Sequence, residues 1–233
     1  MAEHRIGAET DAAAVTETDA ADHASVSRVT QANRRRRTST DLALIAGFAA
    51  LIAVSSVLAI PIGPAPITLQ TFAVLLAGAV LGASRGFFAV LLYLAIGIIG
   101  LPVFAGGTAG LAPFAGPTVG YLIGLPLAAW LTGFIVERLP RKNTWLDTLL
   151  IFLAAFVANL AFVYQLGIAG LVWRAGLDLL QAFSINLAFV PLDLVKIALT
   201  AIVAAAVARA FPDLLPRRRA QSSQPAQSSP SAQ

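Results

Sequence analysis

Two ionisable side chains, Asp193 and Lys196, stand in an otherwise apolar run near the end of this 233-residue chain. Spaced three apart, they share one face of a helix. Pro191, two residues ahead of Asp193, suits the first position of a helix and would put both charges in its opening turn. A charge at the centre of a membrane helix costs about 2.5–3.5 kcal/mol on insertion scales, and less near the interface, so such a residue needs a reason to be there. Two reasons fit the spacing. One is structural: an intrahelical ion pair, with Asp193 serving the helix N-terminus. The other is a ligand clamp, in which Lys196 holds a carboxylate and Asp193 accepts hydrogen bonds from N–H groups of the same molecule.

The remaining polar groups of the apolar region are sparse: Ser55, Ser56, Thr68, Gln70, Thr71, Asn159, Tyr164, Gln165, Ser184 and Asn186. Gln70 comes after a Pro-rich loop and is placed either to close over a ligand or to bond a neighbouring helix. The Gly/Ala/Pro stretch 104–116 is too irregular for a helix, and irregular backbone at membrane depth is tolerated only where protein covers it or a cavity lies against it. Gly106 and Gly107 within it are therefore candidates for backbone contact with a ligand. Enzyme chemistry finds few parts. The chain has no Cys, and both His lie in the first 23 residues. GxxxxGK[ST] and HExxH are absent, as is a pair of Asp residues at membrane depth. Neither a metal nor a cofactor is expected, and the chain is read as no enzyme.

Composition says what must position these residues. The chain is 58% hydrophobic and 12% charged, half the charge of an ordinary soluble domain. That is more apolar surface than one soluble core hides, which points to the bilayer as solvent. Apolar runs at 42–60, 67–82, 86–103, 117–136, 149–172 and 191–211 give six spans, with 174–190 as a partly buried connection. The basic residues sit at 34–37, Arg85, Arg138, Arg141, Lys142, Arg209 and 217–219, all on one side of such a bundle. The outer loops at 61–66 and 104–116 hold no Lys or Arg, and only Arg174 stands in the third. By the positive-inside rule both termini are cytoplasmic. These clusters flank apolar runs instead of gathering with aromatics on one face, so the formal net charge of +4 does not point to nucleic acid.

The expectation is an all-α integral membrane protein with six transmembrane helices, N-in and C-in. Its membrane domain covers 41–211, between disordered cytoplasmic tails at 1–40 and 212–233, which lack apolar periodicity. Trp145 and Trp173 fit the membrane–water interfaces. Small residues recur at helix-packing spacing in Gly78/Gly82, Gly116/Gly120/Gly124, Ala46/Ala50 and Ala49/Ala53. They serve either packing within the bundle or, on the Ala face of the first helix, docking of a partner membrane subunit.

Four runs carry a family resemblance: 61–82 (PIGPAPITLQTFAVLLAGAVLG), 97–107 (GIIGLPVFAGG), 116–124 (GPTVGYLIG) and 191–196 (PLDLVK). In this order they resemble the BioY family, the biotin-binding S-components of energy-coupling-factor (ECF) transporters, over about residues 42–211. The resemblance implies a six-helix membrane protein that captures biotin at its outer face for uptake. It places biotin on Asp193 and Lys196, with Lys196 toward the carboxylate and Asp193 toward the ureido N–H groups, and it makes the loop before Gln70 a lid. Tyr121, in the third run, and Asn159 complete the expected binding set with Gln70, Gly106 and Gly107. The implied partners are a transmembrane coupling protein and two cytosolic ATPases in the plasma membrane of a prokaryote, with self-association into a homo-oligomer left open. Capture of another small carboxylated vitamin, or a ligand-free membrane scaffold, are the alternatives. Two positions depart from the family pattern: Leu192 where Gly is usual, and Gly170 where a Trp is common and would wall the pocket.

Overall fold

The computed structural model describes residues 38–61, 65–139 and 144–211. The basic groups at 34–37, Arg141, Lys142 and 217–219, and most of both expected tails, lie outside the described residues. Helix α1 (Thr38–Val57) leads to a two-stranded antiparallel ribbon, β1 (Ala59–Ile60) and β2 (Ile67–Thr68). In it Ala59 faces Thr68 and Ile60 faces Ile67. Next come α2 (Gln70–Leu81), α3 (Ala83–Ile98), a 3-10 turn (Ala105–Gly107), α4 (Ala112–Ala115) and α5 (Val119–Val136). The chain continues through α6 (Thr144–Ala158), a π turn (Asn159–Tyr164), α7 (Gln165–Ala175) and α8 (Leu179–Ala210). It divides at Leu44, before which the described residues are the opening turns of α1; from Ile45 on, the rest forms a second unit.

Small residues decide how closely these helices approach. Helix α5 is central, packing on α2, α3, α6 and α7, while α2 and α6 also pack on α8. The core is built from Val74 and Leu75 of α2, Val90 and Tyr93 of α3, Leu122, Leu125 and Ala128 of α5, Ala155 and Ala158 of α6, and Ile197 of α8. At the crossing of α5 with α7, Gly120 lies against the backbone of Leu166 and Gly170, so close that neither glycine leaves room for a Cβ. Of the small residues in 116–124, Gly120 and Gly124 are thus spent on packing within the chain. The crossing also settles Gly170: this residue is a helix crossing point, and no side chain, tryptophan included, fits between the two backbones.

Helices α2 and α3 are separated by one residue. Gly82 has φ +86°, a left-handed conformation that glycine adopts without strain, and its Cα faces the Glu137 carboxylate. Glu137 Oε1 accepts the Ala83 N–H at 2.8 Å, so the end of α5 caps the start of α3.

Three expectations change. The final helix does not start at Pro191; it starts three turns earlier at Leu179. Asp178 caps it, accepting from Leu180 N at 3.3 Å while Gln181 Oε1 accepts from Asp178 N at 3.3 Å, and Gly176 at φ +65° closes the helix before it. This reciprocal cap outweighs Pro191, whose missing N–H costs α8 one ladder bond, to Leu187. The expected connection 174–190 is therefore mostly helix. The ribbon β1–β2 is a small exception to the all-α expectation, and 104–116 contains a 3-10 turn and the short α4. Among the described residues, four helices are long and apolar enough to cross a bilayer: α1, α5, the continuous Trp145–Ala175 and α8, with α2 and α3 as shorter apolar helices. Large apolar side chains such as Val54, Phe88, Leu160 and Ile202 are exposed on these helices.

Candidate ligand-binding site

A cavity of about 420 Å³ lies between the start of α2, the 104–118 segment, the first turns of α5, the end of the π turn and the middle of α8. That volume lies within the range of small-molecule sites. Its apolar walls include Phe104, Leu122, Leu125, Val163 and Phe189, and its polar groups are few.

The charged pair belongs to this cavity. Asp193 and Lys196 line it, are each only 6% exposed, and are joined by an ion pair of 2.8 Å between Nζ and Oδ1. Tyr164, also lining the cavity, donates its hydroxyl to Asp193 Oδ2 at 2.8 Å. Each carboxylate oxygen thus has one protein donor. A carboxylate has about four lone-pair positions, so capacity for further N–H donors remains. No group of three or more His, Cys, Asp or Glu is placed to hold a metal ion among the described residues.

Gln70 opens α2 and lines the cavity wall. Its Nε2 donates to the Tyr93 hydroxyl at 3.0 Å, and that hydroxyl shares a 2.9 Å hydrogen bond with Ser56 Oγ of α1. Gln70 thus lines the cavity and, through Tyr93, bonds a neighbouring helix. Tyr121 lines the cavity and donates to Asn186 Oδ1 at 3.1 Å, and Asn186 Nδ2 donates to the Ala182 carbonyl at 3.0 Å. The Tyr121 ring meets Phe189 edge-on at 6.5 Å.

The irregular 104–116 segment is held by aromatic packing. Phe104 is buried, lies edge-on to Tyr93 at 5.6 Å and to Phe114 at 5.8 Å, and occupies the space that the missing side chain of Gly97 leaves. Gly107 N donates to the Phe104 carbonyl at 2.9 Å, and Phe104 N to the Thr108 carbonyl at 3.0 Å. Gly106 and Gly107 make this turn with φ of +68° and +75°. Phe104, Ala105 and Thr108 line the cavity, and the two glycines do not. Their role here is conformational. Arg174, the one cation expected in an outer connection, donates from Nε to the Ala115 carbonyl at 3.0 Å and so ties α7 to the cavity rim.

Asn159 lies outside the lining as well. It is buried, with its amide oxygen unpartnered. On α1, Ala49 is in the core and Ala53 half-buried against it, whereas Ala46 and Ala50 are exposed. Sequence reasoning misses Tyr164, Phe104 and Phe189 as site residues; a tyrosine at membrane depth is the available signal for the first. Residues 82–86, Gly-Ala-Ser-Arg-Gly, have the GxSxG letters of a nucleophile elbow. Ser84, however, comes after a helix and not a strand, and the only histidines are in the first 23 residues.

Comparison with known proteins gives this site a context. Residues 27–213 match the BioY family. The chain is 42% identical over 183 residues to the biotin transporter BioY of Rhizobium etli, covering 76% of this chain and 97% of that one. It is 47% identical over 186 residues to the biotin transporter BioY of Rhodobacter capsulatus, covering 75% and 96%. Among solved structures it resembles the crystal structure of the S-component for biotin from an ECF-type ABC transporter. The TM-score is 0.67 and the identity 31%, over 75% of this chain and 93% of the other. With a family match over most of its length and relatives aligned nearly end to end, the chain belongs to the BioY family.

Proposed function

We propose that this chain is the biotin-capturing membrane subunit of an ECF-type transporter and binds biotin in the cavity that holds Asp193 and Lys196. The carrying observation is the ion pair buried in a mostly apolar cavity: burial of two charges is costly unless something uses them. Biotin fits in kind, with an apolar thioether bicycle for the aromatic and aliphatic walls, ureido N–H groups for Asp193 and a carboxylate for Lys196. Lys196 is the one cation among the described residues lining the cavity, so a ligand carboxylate is drawn to it and off Asp193. Gln70 and Tyr121 complete the wall.

The 2.8 Å contact favours a second arrangement of the same ligand. Groups that close meet one end of an extended molecule, with Asp193 accepting from a ureido N–H and Lys196 donating to the ureido carbonyl. Biotinamide separates the two: it binds more weakly than biotin if Lys196 holds the carboxylate, and equally if it reads the ureido ring.

Six spans and a cytoplasmic side for both termini complete the proposal. Trp145 and Trp173, both strongly exposed, stand about 42 Å apart along one helix at 1.5 Å per residue, close to the thickness of a bilayer with its interfaces. Glu137 brings the ends of α5 and α2 together, which groups Arg85 with Arg138 at one end. The ribbon, α4 and the Arg174 tie lie around the cavity instead. Helix α2 is only about 18 Å long at that rise because it stops at the cavity. On this reading 41–211 is the membrane domain, multi-pass in the plasma membrane of a prokaryote, and 1–40 and 212–233 are cytoplasmic tails. A transmembrane coupling protein and two ATPases supply the energy, and the exposed Ala46 and Ala50 offer a close-approach face to that partner.

The test is equilibrium binding of labelled biotin to the detergent-purified chain. Asp193→Asn and Lys196→Ala should each weaken binding well over tenfold. Wild-type affinity from both would remove the pair from the site. Failure of the unaltered chain to bind biotin, with capture of another carboxylated vitamin in a competition panel, would change the ligand; no ligand at all would leave the pair a structural role.

A further inference from the structure

We propose that Tyr164 is a positioning residue of the ligand site, whose hydroxyl holds the Asp193 carboxylate in the orientation that receives N–H groups. The assignment rests on the biotin reading above. Asp193 and Lys196 are neighbours on one helix, and left to themselves the carboxylate can turn both oxygens toward the ammonium. A carboxylate closed in that way offers little to a ligand. The geometry prevents it. Lys196 takes Oδ1 and Tyr164 takes Oδ2, each at 2.8 Å and from different helices. Two donors on two oxygens fix the plane of the group, and hydrogen bonds to a charged acceptor are among the stronger ones.

The placement of Tyr164 depends on the π turn Asn159–Tyr164, an interruption inside a 31-residue helix. Such a turn carries an extra residue, so the helix beyond it is rotated about its axis relative to an uninterrupted α-helix. Tyr164 is the last residue of that turn, and the rotation brings it to α8. Asn159 opens the turn. A phenol has one proton to give. Here it is given to Asp193 Oδ2, so the bond ends on the carboxylate. Asp193 is thereby kept an acceptor for N–H donors, beside the Lys196 ammonium that takes a carbonyl or carboxylate of the same ligand.

The experiment is a double-mutant cycle on biotin binding by the full purified chain, using Tyr164→Phe and Asp193→Asn. Tyr164→Phe should weaken biotin about tenfold, about 1.4 kcal/mol. In the Asp193→Asn background it should change affinity less than twofold, because the group it positions is gone. Wild-type affinity from Tyr164→Phe, or the same loss in both backgrounds, overturns the assignment. A wild-type chain that ignores biotin overturns the functional reading instead. A second measurement needs no change at position 164. The ultraviolet resonance Raman doublet of tyrosine reports whether a phenol donates, and Asp193→Asn should shift it toward a weaker donor; an unchanged doublet is equally fatal.

Discussion

At the scale of single residues, the cavity holds one anion and one cation that neutralise each other at 2.8 Å while Tyr164 steadies the anion. Removing one partner leaves the other charge buried and uncompensated, which in soluble proteins costs about 3–5 kcal/mol. Lys196→Ala and Asp193→Asn therefore act on stability as well as on binding, and the two effects need separating. The apolar double variant Asp193→Leu/Lys196→Met removes both charges at similar volume. Its melting temperature is expected to return to or above that of the wild type while biotin binding stays abolished. A double variant as unstable as Lys196→Ala alone would mean that the pair holds the bundle together and is not there for a ligand.

Among the elements, the decisive features are approach distances and helix ends. The crossing of α5 and α7 exists because Gly120 and Gly170 bring two backbones into contact. Gly120→Ala puts a methyl where the Leu166 backbone stands, and overpacking of this kind costs about 1–3 kcal/mol. The expected result is a clear fall in melting temperature in detergent, with weaker biotin binding because Tyr121, one residue on, lines the cavity. An unshifted melting curve would show that the crossing relaxes freely. The helix ends are partly legible in sequence. Gly176 and the Asp178/Gln181 cap are readable signals for the start of α8, and the proline preference at position 191 competes with them. Proline suits a first turn but is also tolerated inside a long helix when neighbouring packing absorbs the lost bond. The π turn leaves no such signal, because Asn159–Tyr164 has the composition of an ordinary apolar helix.

For the molecule as a whole, the proposed topology is open to direct test because the chain has no cysteine of its own. Leu111→Cys, exposed beside α4, should react with a membrane-impermeant maleimide in intact cells. Leu139→Cys, just past α5, should react only after permeabilisation. Labelling of both in intact cells, or the reverse order, would sink the N-in/C-in arrangement with its outward-facing cavity.

What the sequence determined by itself was set by local chemistry and composition: the membrane as solvent, the apolar segments, and the Asp193–Lys196 spacing that puts two charges on one helical face. The four runs that resemble the BioY family pointed to the same pair. Tertiary structure decided which polar groups meet. It brought Tyr164 to Asp193 across 29 positions and Gln70 to Tyr93 across 23, and it left Gly106 and Gly107 as turn formers outside the cavity lining. It also assigned Gly170 to a helix crossing. The physical reason is that helical spacing fixes neighbours only within a few residues along one element. Contacts between elements depend on how closely backbones approach and on the rotation each helix acquires, which a π turn alters without marking the sequence.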